Sequence, residues 1–321
     1  MTSPIRRRHL PHRTVSAPVS SSDLTRKLLA TTPPSGPFLL TYHSLPPWHQ
    51  NNAYILTSYR PAPTHSLAKC LQSLLYLHNE TINIHSHLLG SFLFLFIGIF
   101  LYLFDGRRDP AVETADVVVF GIFFAAVVGC LGTSAVYHTV SCHSERWAAR
   151  ANRGDYVGIV GLIWGSFVPS LWYGFGCKGD EGLRRAYWSM ISILALGCAL
   201  VSILPQFRTP KWRPFRASMF VAMGLSAAIP VLHGVRRYGL QPMNDRIGLS
   251  WLVLQGCLYV LGAGIYAARV PERFAPPGRF DVWGSSHQVF HVLILCAAMA
   301  HLMGLLRAYE YSKTARVCGT H

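Results

Sequence analysis

Two short patterns pair a histidine with a second reactive side chain four residues away. Ser134 precedes His138, and His287 precedes His291, so each pair shares one face if it lies on a helix. Neutral imidazole is a preferred zinc ligand, and His138, His287 and His291 could together supply three nitrogen ligands. Three protein ligands leave a fourth position open for water, as in catalytic zinc sites. The residue types therefore predict a hydrolytic Zn²⁺ centre.

Two oxygen-bearing side chains could act on a reactant at such a centre. Asp155 could accept or orient the proton of a water molecule, and Ser134 could hydrogen-bond a carbonyl or a developing oxyanion. Each element also has a plainer interpretation. Histidines are common at membrane interfaces, Ser134 and His138 could pack between helices, and an Asp such as Asp155 often caps a helix. The site hypothesis depends on whether the fold brings these side chains together.

The elements that must position these residues are long stretches without charge. The chain has 321 residues, of which 51% are hydrophobic and only 13% are charged. Seven stretches contain no Asp, Glu, Lys or Arg, and each can cross hydrocarbon of about 30 Å as a helix. The sequence thus predicts an all-α membrane protein, a seven-transmembrane helix bundle. Its spans are expected at about 87–104, 117–137, 156–177, 186–207, 217–235, 247–268 and 285–306.

The order of the spans is enough to gather the reactive residues. Ser134 and His138 end the second span, Asp155 precedes the third, and His287 and His291 open the seventh. The end of an even-numbered span and the start of an odd-numbered span always share a membrane face. All of these residues are therefore expected on one side, which is also the side of the N-terminus.

Other histidines are weaker candidates. His85 and His87 begin the first span on the proper side, and they are reserve candidates for the metal site. His301 lies about 80° from the face of His291 on an ideal helix, which favours packing or a hydrogen bond. His233 is expected on the opposite side of the membrane.

The segments outside the spans differ in character. Residues 1–40 are basic and rich in Ser, Thr and Pro, which predicts a disordered tail. Residues 41–86 are expected to form a cytoplasmic segment, with an amphipathic helix on the membrane at about 66–79. The seven-span domain is assigned to 87–309, and a short C-terminal tail to 310–321.

The charge distribution bears on partners and orientation. The formal charge of +15 is spread over the loops without a recognition motif, so it fits anionic lipid headgroups better than nucleic acid. Lys and Arg favour a cytoplasmic N-terminus, although the excess lies in the long tail. The sequence shows no secretory signal peptide, so the first span is expected to direct insertion, into the endoplasmic reticulum or the plasma membrane.

The motifs resemble the progestin and adipoQ receptor family. This family includes the adiponectin receptors, fungal zinc-homeostasis membrane proteins and, more distantly, haemolysin-III-like proteins. The resemblance runs in one continuous order from about Leu45 to Leu306. It is carried by SYRP at 58–61, HNETINIHSHLLG at 78–90, SAVYHTVSCHSE at 134–145, DYVGI at 155–159, GSFVPSLWY at 165–173 and VPERFAPPGRFDVWGSSHQVFH at 270–291.

The resemblance implies a cytoplasmic N-terminus, the reverse of G-protein-coupled receptors, and a zinc ion near the cytoplasmic face. The histidines matching His138, His287 and His291 would hold the ion, and the family's aspartate and serine match Asp155 and Ser134. Relatives are linked to ceramide hydrolysis, which implies a ceramide-like substrate and a free fatty acid product. An extracellular ligand that signals through the protein is a further expectation.

Other functions stay open at this point. The zinc could be purely structural in a signalling receptor, or the protein could regulate zinc or lipid homeostasis. A zinc transporter is a weaker hypothesis because none of the seven stretches contains a carboxylate. A G-protein-coupled receptor is weaker still, because the third span ends without D/E-R-Y and the seventh lacks N-P-x-x-Y.

Overall fold

The computed structural model describes residues 38–106 and 112–314, and within them the regular secondary structure is helical, apart from one isolated β-bridge between Leu40 and Tyr59. Seven helical segments are long and apolar enough to cross a membrane. The predicted seven-helix architecture is thereby confirmed. The spans are formed by the helices Thr81–Leu101, Thr114–Val140, Glu145–Gly174, Glu181–Ile203, Arg213–Leu225 continued by Ala228–Tyr238, Leu249–Ala268 and Ser286–Lys313.

The ends of the chain lie outside the described residues. The predicted disordered tail falls there up to residue 37, and so does the last part of the predicted C-terminal tail, from residue 315. The seventh span continues to Lys313, so it is longer than the expected stretch of 285–306. The first span likewise starts at Thr81, before the expected residue 87.

The bundle core lies between the first, second, third and seventh spans. Its buried side chains include Phe94, Phe123, Leu131, Leu162 and Leu302. The outward faces of the spans carry large apolar side chains that are exposed on the protein surface. Apolar surface of this extent is typical of contact with the hydrocarbon core of a membrane, where no water is available to hydrogen-bond polar groups.

Two glycines on the third span bring it close to the second span. A Cβ atom on Gly158 would lie 2.5 Å from Thr133 Oγ1, and one on Gly165 would lie 2.4 Å from Ala126 Cβ. Small residues at such positions let helix backbones approach each other in membranes. The close approach fixes how Asp155, three residues before Gly158, faces the second span.

The helix before the first span is shorter than predicted. The structure has an α-helix at Leu67–Gln72 and a 3₁₀ turn at Ser73–Leu75, instead of one helix over 66–79. Ser73 Oγ donates a hydrogen bond to the Cys70 carbonyl oxygen at 2.6 Å, and a side chain that bonds back to the backbone competes with continued helix. Leu67, Leu71 and Leu75 are exposed, which leaves an apolar face on this segment.

The chain before this helix folds over the connection between the sixth and seventh spans. The backbone N–H groups of Leu56 and Thr57 both donate to the Asp281 carboxylate at 2.8 Å. Asn52 Nδ2 donates to Glu272 Oε1 at 3.1 Å. These bonds attach the N-terminal segment to the end of the bundle at which the seventh span begins.

Candidate metal centre

Three histidines converge where the second span ends and the seventh begins. The ligand atoms of His138, His287 and His291 all lie within 4.8 Å of one another, close enough for one ion to reach all three. Their ring centroids are separated by 4.8–4.9 Å. His138 and His291 are buried, and His287 is half-buried. The structure thus brings together the three histidines that the sequence proposed as ligands.

A carboxylate fixes which nitrogen of His138 faces the cluster. His138 Nδ1 donates a hydrogen bond to Glu80 Oε2 at 2.8 Å. Burial by itself would raise the pKa of Glu80, but the adjacent His138 imidazole outweighs it and holds this pKa well below its usual range. Since a carboxylate only accepts hydrogen bonds, Nδ1 carries the proton and Nε2 carries the lone pair.

The Nε2 atom of His138 is the clearest sign that the cluster fits a metal ion. It is buried and has no hydrogen-bond partner among the described residues. Buried polar atoms are rarely left in that condition, because the desolvation cost is not repaid. A lone-pair nitrogen beside two further imidazoles fits a Zn²⁺ ion, and a carboxylate on the opposite ring nitrogen is a common feature of histidine–zinc sites.

The first turn of the first span orients a second ligand. His291 Nδ1 donates to the Asn83 carbonyl oxygen at 3.1 Å, which again leaves Nε2 for an ion. Asn83 Nδ2 donates to Glu80 Oε2 at 2.6 Å. Asn83 therefore contacts both His291 and Glu80, the carboxylate that orients His138. The first span therefore supports the cluster without contributing a ligand to it.

Sequence reasoning did not assign roles to Glu80 and Asn83. A usable signal was present, because Glu80 directly precedes the first span and Asn83 lies in its first turn. The start of an odd-numbered span shares the membrane face of the histidines. A carboxylate on that face is a natural partner for the second nitrogen of a metal-binding histidine.

Asp155 and Ser134 border the cluster. Ser134 is buried one turn before His138 on the second span, and Asp155 is half-buried on the third. The Asp155 carboxyl group interacts electrostatically with His138 and with the Ser134 side chain. The group of described residues able to share one ion contains the three histidines and not Asp155.

The two reserve histidines occupy other positions. His87 stacks on the ring of His291, with ring centroids 3.7 Å apart and an interplanar angle of 12°. Its Nε2 lies 3.4 Å from the His291 carbonyl oxygen, so it supports that residue from behind. His85 Nδ1 donates to the Thr81 carbonyl oxygen at 2.8 Å. Neither belongs to the group that could share one ion.

The other two histidines weighed from the sequence, His301 and His233, have partners away from the cluster. His301 Nδ1 lies 2.7 Å from Gln255 Oε1 inside the bundle, in keeping with the hydrogen bond expected for it. His233 Nδ1 lies 2.5 Å from the Tyr187 hydroxyl oxygen. Tyr187 lies in the second turn of the fourth span and His233 lies near the end of the fifth, which places the pair toward the opposite end of the bundle.

A buried arginine of the N-terminal segment caps the C-terminal end of the second span. Arg60 donates to the carbonyl oxygens of His138 and Thr139 at 2.5 and 2.9 Å. It also donates to the hydroxyls of Ser73 and Ser141 at 2.9 and 3.1 Å. A cation at a helix C-terminus satisfies free carbonyls and complements the helix dipole. Arg60 thereby holds the helix end that carries His138.

Comparison with known proteins adds independent information. A family model described as Haemolysin-III related matches residues 75–302. The adiponectin receptor protein of Drosophila melanogaster is 44% identical over 270 residues, which are 84% of this chain and 59% of that protein. The ADIPOR-like receptor IZH2 of Saccharomyces cerevisiae is 38% identical, over 85% of this chain and 84% of its own length.

A plant relative shows the same extent of similarity. Heptahelical transmembrane protein 3 of Arabidopsis thaliana is 32% identical over 88% of this chain and 90% of its own length. The chain spans about three fifths of the length of the fly relative and of the progestin and adipoQ receptor-like protein 1 of Caenorhabditis elegans. With the yeast and plant relatives the similarity extends over most of both chains.

Proposed function

The chain belongs to the haemolysin-III-related (progestin and adipoQ receptor) family of integral membrane proteins, and from that premise we propose that it is a zinc-dependent hydrolase of a ceramide-type lipid amide. The free fatty acid would be one product. The observation that carries the proposal is the buried Nε2 of His138, which has no hydrogen-bond partner among the described residues and belongs to a cluster with two further histidines. A carboxylate, Asp155, and a hydroxyl, Ser134, border this cluster.

Each side chain of the centre has a role in this proposal. His138, His287 and His291 hold Zn²⁺, which when bound supplies a Lewis acid for a carbonyl oxygen and for water. Asp155 accepts the proton of the attacking water as general base, and Ser134 donates a hydrogen bond to the substrate carbonyl oxygen. Glu80 keeps the His138 proton on Nδ1, so that Nε2 stays available.

The position of the centre supports a lipid substrate. The three histidines lie in the terminal turns of helices whose outer faces are apolar and exposed. A reactant can therefore approach from the bilayer, and the half-buried His287 and Asp155 leave room for it to reach the cluster. We propose that this end faces the cytoplasm, in the plasma membrane or the endoplasmic reticulum.

A receptor with a structural zinc ion is the second candidate. The relatives in fly and yeast are named as receptors, and an ion held by His138, His287 and His291 would clamp the second span to the seventh. In that function an extracellular ligand would act through the bundle without turnover of lipid. Regulation of zinc or lipid homeostasis would follow from the same structural role.

One experiment separates the two candidates. The full chain and its His287→Ala/His291→Ala variant would be purified in detergent, analysed for bound zinc, and assayed for fatty-acid release from a panel of ceramides. His85→Ala is the matched control, because His85 lies near the same face but outside the cluster. The hydrolase predicts about one zinc per chain with fatty-acid release, both lost in the double variant and kept in the control.

Two other outcomes have distinct meanings. Zinc at the same level without release of fatty acid from any lipid of the panel would favour the structural-zinc receptor. Absence of zinc from the parent protein, with other metals also absent, would show that the histidines do not form a metal centre. An Asp155→Asn variant that keeps both zinc and full turnover would remove Asp155 from the proposed chemistry.

A further inference from the structure

Two buried thiols face each other just outside the metal centre. Cys70 Sγ and Cys142 Sγ are 3.6 Å apart, and the two residues are 0% and 1% exposed. Cys70 belongs to the short helix before the first span, and Cys142 follows the last residue of the second span, Val140, by two positions. Neither residue has a place in the function proposed above.

Backbone contacts hold the two segments side by side. The Thr64 N–H donates to the Cys142 carbonyl oxygen at 3.0 Å, and the His65 N–H donates to the His143 carbonyl oxygen at 3.0 Å. The Thr64 hydroxyl lies 3.7 Å from Cys70 Sγ. A disulfide needs the sulfur atoms at about 2.05 Å, so they must approach by roughly 1.6 Å for the bond to form.

The surroundings shift the pKa values of the two thiols in opposite directions. The hydrogen bond with Cys142 outweighs burial and, with help from Thr64 and Arg60, lowers the pKa of the Cys70 thiol to about 6. The same hydrogen bond and burial raise the pKa of the Cys142 thiol. A low-pKa thiol beside a second thiol that can resolve it is the arrangement found in redox-sensing pairs.

We propose that Cys70 and Cys142 form a reversible dithiol–disulfide site that is oxidised by hydroperoxides. The Cys70 thiolate attacks a peroxide oxygen, the O–O bond breaks, and a sulfenic acid forms while hydroxide leaves. The Cys142 sulfur then attacks the Cys70 sulfur, the S–O bond breaks, and water leaves. The two thiols lose two electrons and two protons, hydrogen peroxide becomes two waters, and a cellular dithiol or glutathione reverses the change.

The location puts the pair next to a cavity and gives the bond a consequence. A cavity of about 600 Å³ is lined by His65 and His143, the residues whose backbones pair beside the thiols. The disulfide would tie the segment before the first span to the end of the second, four residues after His138. Arg60 already joins these two elements by hydrogen bonds. Oxidation would therefore add a covalent bond to this link, which supports the C-terminal end of the second span and, with it, the proposed metal ligand His138.

Thiol mapping on the full chain tests the proposal without any assay of metal or lipid. Purified protein would be treated with hydrogen peroxide, quenched, alkylated under denaturing conditions and mapped by mass spectrometry. A Cys70–Cys142 disulfide that dithiothreitol removes is the expected result, and Cys257 and Cys296, which are exposed, serve as internal controls that stay alkylated. Cys142→Ser should trap the Cys70 sulfenic acid, detectable with dimedone.

A stability measurement supplies the second readout. The oxidised protein should unfold at a temperature on the order of 5 °C above that of the reduced protein, and Cys70→Ser should show no such difference. Cys70 and Cys142 thiols that both remain alkylatable after treatment would overturn the proposal. So would a disulfide that forms as readily between other cysteines, or one that leaves the unfolding temperature unchanged.

Discussion

The second, third and seventh spans meet in a polar cluster at each end of the bundle, and the two clusters differ in one respect. At one end Asp116, Tyr173 and Lys313, one from each span, form a closed set of contacts. At the other end the second and seventh spans contribute His138, with a buried nitrogen that has no partner among the described residues, and the facing His287 and His291.

The closed end needs nothing further. Asp116 is 5% exposed and accepts hydrogen bonds from the Tyr173 hydroxyl at 2.9 Å and from Lys313 Nζ at 2.7 Å. The Glu113 N–H adds a third bond to the same carboxylate at 3.1 Å. Both carboxylate oxygens are thus occupied by protein donors, as expected of a structural polar group.

The cluster at the open end could hold a metal ion. Glu80 and Asn83 bind the Nδ1 atoms of His138 and His291, and each of the three histidines offers a ligand atom within 4.8 Å of the other two. Burial and charge alone do not distinguish the two clusters, because both contain buried titratable groups that span the same helices. What separates a binding site from a structural tie is whether the protein itself completes the hydrogen bonds.

Replacing the carboxylate at the open end tests this contrast most strongly. Glu80→Gln keeps the shape of the side chain but removes the charge that holds the proton on His138 Nδ1. We expect zinc affinity to fall by about 10- to 100-fold, the usual cost of losing the partner of a metal-binding histidine. Titration of purified protein against a zinc-chelating dye measures the change.

The matched control lies at the closed end. Glu113 also precedes a span, and Glu113→Gln should leave zinc affinity at the parent value because it acts at the opposite face. Equal affinity for Glu80→Gln and the parent protein would mean that Glu80 does not orient the ligand. Equal losses in both variants would indicate a general loss of folding rather than a local effect.

Removing a charge at the closed end should lower stability and leave zinc affinity unchanged. Asp116→Asn weakens the bond to Lys313, and the loss should be about 1.5 kcal/mol of unfolding free energy, at the low end for charged hydrogen bonds because Lys313 is partly exposed. Zinc affinity should not change. Thermal unfolding and dye titration on the same sample check both statements, and a loss of zinc would show that the two ends are coupled.

For the open end, the sequence predicts which histidines come together. The lengths of the charge-free stretches establish the spans, and the order of the spans places His138, His287 and His291 on one face whatever the helix rotation. The order of the spans does not specify how each helix is rotated about its axis. That rotation depends on close contacts such as those at Gly158 and Gly165, which a single sequence does not reveal.

Helix rotation explains what sequence reasoning could not assign. His87 shares the face of the ligands but is turned so that it stacks behind His291. The same rotation of the first span points Glu80 and Asn83 at the two histidines. The shorter helix at Leu67–Gln72 has a local cause instead, a side-chain bond that a hydrophobic pattern does not encode.

The smallest expected effect comes from one hydroxyl at the closed end. Tyr173→Phe removes a single hydrogen bond to Asp116 and leaves the ring packed against Phe120. Because the Lys313 and Glu113 bonds remain, we expect a loss of about 0.5–1 kcal/mol and unchanged zinc affinity. In a double-mutant cycle, the variant that combines Tyr173→Phe with Asp116→Asn should lose less stability than the sum of the two single losses, since both substitutions act on the same contact. Full additivity would show that the Tyr173 hydroxyl contributes to stability independently of Asp116, and the closed end would then rest on the Asp116–Lys313 pair.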